Sequence, residues 1–79
     1  MKPVYRYKKE VVDQVLNGDQ ELLGVKLGVI CIAKNIPTYD VADYLDVPRT
    51  AVYAWFRGAV KVPKRLVPQV QAIVDKLSA

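Results

Sequence analysis

Between residues 37 and 63 this chain is interrupted four times, by Pro37, Pro48, Gly58 and Pro63. No long helix survives such punctuation. A proline pushes the residue before it out of the helical region and removes a backbone donor. A glycine ends helices because the left-handed conformation costs it nothing. The spacing predicts a short helix over Tyr39–Leu45 capped by Thr38, a turn at Asp46-Val47, and a second helix from Pro48 to Arg57 stopped by Gly58. Pro48 suits a first helical position, where its missing N–H costs nothing. Residues 59–63 read as a loop. A last helix follows over 64–77, with Leu66, Val67, Val70, Ile73, Val74 and Leu77 on one stripe. Pro68 is tolerated there because it falls in the first turn.

The first half is more apolar. Val11, Val12, Val15 and Leu16 recur at helical spacing, with Tyr5 and Lys8 earlier on the same helix, predicted over 4–17. Asn17-Gly18 is its stop, with Gly18 left-handed, and Asp19 is placed to cap the next helix. That helix, about 20–35, is apolar on two stripes and belongs at the centre of the fold. Its run Val29-Ile30-Cys31-Ile32 also suits a buried strand; length and the lack of clear partner strands favour the helix. Gly24 and Gly28, four apart, share a face that lets a neighbouring helix approach closely. The expected fold is all-α, a compact four- to five-helix bundle in one domain over 1–79. Within it, 1–18 is an additional N-terminal helix, 38–58 a helix-turn-helix and 64–77 a C-terminal helix.

With 79 residues, the chain has room for a single core. It holds one Cys, Cys31, and no His. A disulfide framework needs two Cys, and structural zinc needs about four Cys or His ligands. A Ser-His-Asp or Cys-His pair cannot be assembled. The expectation is a protein that is not an enzyme and takes no cofactor or metal, with Cys31 serving as a small buried hydrophobe. No run of 18 apolar residues suggests a membrane span, and Lys2 and Arg6 are not followed by a signal-peptide pattern. The expected compartment is the cytoplasm.

Charge is segregated along the chain. Residues 1–9 carry Lys2, Arg6, Lys8 and Lys9 and no acid; 10–46 are mostly acidic; 47–74 carry Arg49, Arg57, Lys61, Lys64 and Arg65 and no acid. A long acid-free segment is the footprint a polyanion leaves, although a solvated basic face has the same composition.

Thr38 to Gly58 carries the chemistry. Two crossing helices need a small residue on the first, and Ala42 is there. The turn needs a residue tolerant of left-handed geometry and then an apolar plug, which Asp46 and Val47 supply. Val41 and Leu45 supply one buried face, Val52 and Trp55 the other. Arg49, Thr50, Tyr53, Ala54 and Arg57 are left facing outward on the second helix, which has the width to enter a DNA major groove. The string from Val41 to Gly58, followed by Val62-Pro63 and Leu66, resembles the helix-turn-helix of phage Cro and repressor proteins and the wider λ-repressor-like family. The resemblance covers roughly residues 20–77. It departs from the family at Asp46, where the turn usually has Gly, and at Pro48, where a polar residue that contacts DNA commonly sits.

The resemblance implies operator binding, usually by a homodimer on a palindrome, with the helix 48–57 in the major groove. Arg49, Thr50, Tyr53, Ala54 and Arg57 would then contact bases, and Thr38, Lys61, Lys64 and Arg65 phosphates. Each has a plainer role. Arg57 also suits the negative end of its own helix, and Tyr53 suits packing. Trp55 belongs to the core, whereas Phe56 fits either the last helix or a dimer contact. Lys2, Arg6, Lys8 and Lys9 suit either an arm on DNA or a frayed terminus, and Tyr5 and Tyr7 among them suit stacking on bases. The alternative to DNA is a protein-binding adaptor using the Tyr39, Tyr44 and Phe56 surfaces, with RNA polymerase or another regulatory protein as partner.

Overall fold

The computed structural model describes residues 7–78. They form α1 (Lys9–Leu16), α2 (Leu23–Ala33), α3 (Thr38–Leu45), α4 (Arg49–Phe56) and α5 (Val67–Ser78), with a 3-10 turn at Lys64–Leu66 leading into α5. The fold is all-α, as the periodicity predicts, and the stretch Val29–Ile32 is helical. α2 is the central element and packs against α1, α4 and α5. It has the composition for this position, with exposed Lys26 as its one charged residue.

The two glycines of α2 set how closely α4 approaches. A Cβ on Gly24 would lie 2.7 Å from the Cβ and the carbonyl oxygen of Trp55. A Cβ on Gly28 would lie 2.9 Å from Phe56 Cγ and 3.0 Å from Val15 Cγ1. Trp55 and Phe56, adjacent in sequence, are therefore both buried. Trp55 sits over Gly24, and Phe56 sits between Gly28 and the ring of Tyr7, whose centroid is 6.3 Å away. Phe56 thus belongs to the core, in one cluster with Val70 and Val74 of the last helix, and not to a dimer contact.

Several boundaries differ from expectation, each for a local reason. α1 starts at Lys9, because Lys8 is extended (φ −64°, ψ 149°) and the preceding Tyr7 is tied elsewhere by its side chain. Positions 4–6 of the predicted first helix, Tyr5 included, lie outside the described residues. Val15 takes α1's inward position, and Leu16 is 53% exposed instead of joining the stripe. Asp19 does not cap α2. Its Oδ1 accepts from the N–H of Glu21 at 3.0 Å within a turn, and Leu22 is the cap residue. Pro48 is likewise one residue ahead of α4, extended at φ −63° and ψ 146°. Val67 opens α5 as an exposed residue, since the 3-10 turn takes up the segment predicted to start that helix.

Three of the helices end in the same way. Asn35 (φ 55°), Asp46 (φ 56°) and Gly58 (φ 75°) are left-handed. Each is followed by a residue whose N–H reaches back five positions: Ile36 to Cys31 (2.8 Å), Val47 to Ala42 (3.0 Å) and Ala59 to Ala54 (3.0 Å). This is the Schellman ending, which satisfies carbonyls that the helix leaves free. Gly18 is not among the left-handed residues. Its place is explained by space, with Val15 O only 3.3 Å from where a Cβ would be.

Candidate nucleic-acid interface

α3 and α4 are joined by Asp46, Val47 and Pro48. The left-handed Asp46 reverses the chain, Val47 tucks half-buried beneath the turn, and Val41, Ala42, Leu45, Val52 and Trp55 close the angle between the helices. With that side of α4 buried, its other side is fixed outward. Arg49, Thr50 and Arg57 are exposed, and Tyr53 and Ala54 are half-buried beside them. At about 100° per residue these five span an arc of roughly 140°, with Thr50 and Arg57 near its middle.

Arg57 is the C-terminal cap residue of α4, and its Nε donates to the Tyr53 carbonyl at 3.3 Å. The plainer role at the helix end is thus occupied, with the terminal guanidinium nitrogens supplying further donors. Tyr53 packs edge-on against Tyr7, with ring centroids 6.5 Å apart. Arg49 and Tyr53 line a depression of about 310 Å³ with Tyr7, Pro37, Thr38 and Tyr39. Lys61 faces another region, beside Leu22, Leu23 and Trp55. Lys64 and Arg65 stand exposed on the 3-10 turn.

Thr38 requires a correction. It is the first residue of α3 instead of its cap, a position held by Pro37. Its side chain is 4% exposed, so the hydroxyl does not lie on a surface that a phosphate reaches. Among the described residues Oγ1 meets no hydrogen-bond partner.

Tyr7 also differs from expectation. It is 6% exposed, and its hydroxyl donates to the Ile36 carbonyl, which ties the N-terminal segment to the connection between α2 and α3. A side chain committed in this way does not stack on bases. No helical periodicity announces it, since Tyr7 lies outside α1. Burial pushes its phenol from 10.0 to about 12, and the nearby Thr38 side chain, short of hydrogen-bond geometry, offsets part of that rise. Burial alone pushes the Cys31 thiol from 9.0 to about 12.

The exposed arc offers cationic and neutral hydrogen-bond donors on a rigid helix. Among the described residues no group of three or more His, Cys, Asp or Glu side chains could hold a metal ion. Nor is any helix among them long and apolar enough to cross a membrane. No family model, curated protein or solved structure matches this chain.

Proposed function

We propose that this chain is a sequence-specific double-stranded DNA-binding transcriptional regulator of phage repressor type, reading the major groove with α4. One observation carries the reading: a three-residue turn with Asp46 left-handed holds a short helix so that exposed Arg49, Thr50 and Arg57 and half-buried Tyr53 and Ala54 share its outer side. Arg pairs bidentately with guanine O6 and N7, and a helix of this diameter fits the groove. Arg49 and Thr50, at the start of α4, stand where base contacts concentrate in this motif. Exposed Lys61, Lys64 and Arg65 add affinity without reading sequence. Two copies on a palindrome would double the contacts.

The test is selection of bound duplexes from a random pool at about 150 mM salt, near physiological ionic strength. The expected result is a preferred palindrome whose half-site spacing reports the dimer geometry. Recovery of no preferred sequence overturns the reading. The adaptor then takes its place, favoured by one specific surface. Tyr44 is 70% exposed beside a groove of about 340 Å³ lined by Ile36, Val41, Ile73 and Leu77. Phe56, being buried, has no part in that surface.

A further inference from the structure

We infer that the cleft between α1 and α4 seats one strand of the DNA backbone, which makes the N-terminal helix part of the binding surface. The inference rests on the duplex-binding reading above. Lys8, Val11 and Gln14 form one wall of this cleft and Tyr53 and Arg57 the other, around a volume of about 440 Å³. Two cations and an amide donor line it, and no carboxylate does. Glu10 and Asp13, on the same helix, are exposed outside this lining. Tyr53 and Val11 supply apolar surface of the kind that meets a sugar ring. Tyr53 and Arg57 also belong to the outward arc of α4, so the cleft is continuous with it.

The dimensions agree. α1 packs on α2 and borders α4 across this cleft, and the major groove is about 12 Å wide. A helix beside one seated in the groove therefore falls over the groove's wall, which is the phosphate strand. The neighbouring Lys9 provides an internal contrast. It lines a different groove, with Val12, Leu16, Val29 and Ile32.

The experiment is a fluorescence-anisotropy titration of the full chain against the selected duplex and a scrambled duplex of equal length, between about 50 and 200 mM salt. Lys8→Met is expected to reduce the slope of log affinity against log salt by about 0.9, the value of one phosphate contact. Gln14→Glu, which puts a carboxylate in the cleft, should weaken both duplexes roughly tenfold. Lys9→Met removes the same charge and should keep the wild-type slope. If Lys8→Met and Lys9→Met behave alike, or Gln14→Glu binds as the wild type does, the cleft is not a backbone seat. If the wild type binds neither duplex, the functional reading falls and this inference with it.

Discussion

At Gly24 a single added methyl group would meet main chain. The nearest atoms to a Cβ there are the Cβ and carbonyl oxygen of Trp55, both at 2.7 Å, and neither can move without displacing α4. Gly24→Ala should therefore cost about 3 kcal/mol, the upper end for overpacking, or prevent folding altogether. At Gly28 the neighbours are side-chain atoms of Phe56 and Val15, so Gly28→Ala should cost less. Urea denaturation followed by circular dichroism ranks the two. Tyr7 and Cys31 make a second prediction, in pH. Both are acids held neutral in the fold, with values raised from 10.0 and 9.0 to about 12. The unfolded chain loses these protons first, so their contribution is intact below pH 9 and declines as pH climbs towards 12. In alkaline melts Cys31→Ala should remove the decline that begins near 9, and Tyr7→Phe the part that begins near 10. At this scale the sequence was legible wherever spacing mattered. Two glycines four apart announce a close approach, but a tyrosine outside any helical period gives no sign of the carbonyl it will reach.

Elements here are defined by their ends. Asn35, Asp46 and Gly58 each turn left-handed and send the next N–H back five positions, yet only one of them is glycine. Asp46→Ala should destabilise by about 1 kcal/mol, the cost of left-handed geometry for an ordinary side chain. Asp46→Gly should hold stability near the wild type, because relief at that residue offsets the extra freedom of the unfolded chain. Thermal melts of the two variants test the pair. The turn at Asp46 was readable because an apolar plug and a proline follow it. The stop at Asn35 was masked by Pro37, which accounts for the helix end by itself. The start of α1 departs from its apolar spacing for a different reason. Apolar spacing extends to Tyr5, but a long-range bond from Tyr7 to Ile36 overrides local preference. Likewise, Thr38 has the chemistry of a cap and is displaced by Pro37, which already supplies the extended residue before α3.

For the whole molecule, the sequence made the all-α bundle and the outward set on α4 legible, because both follow from periodicity. The cleft between α1 and α4 was not, because it depends on how α1 is set on α2. If about six phosphates are neutralised, log affinity should fall against log salt with a slope near −5. Arg49→Ala should cost about 1–3 kcal/mol and relax sequence preference, whereas Lys64→Ala should weaken all duplexes alike. Equal losses across sequences for both variants would remove base readout. A different consequence follows from helix length. α1, α3 and α4 have eight residues each, and the longest helix, α5, has twelve. Helices below about 12–15 residues are marginal alone in water. A synthetic peptide of residues 38–58 should therefore show little helical ellipticity. The two-helix unit is not portable: moved into another protein, it would have to bring the glycine-lined surface of α2 with it.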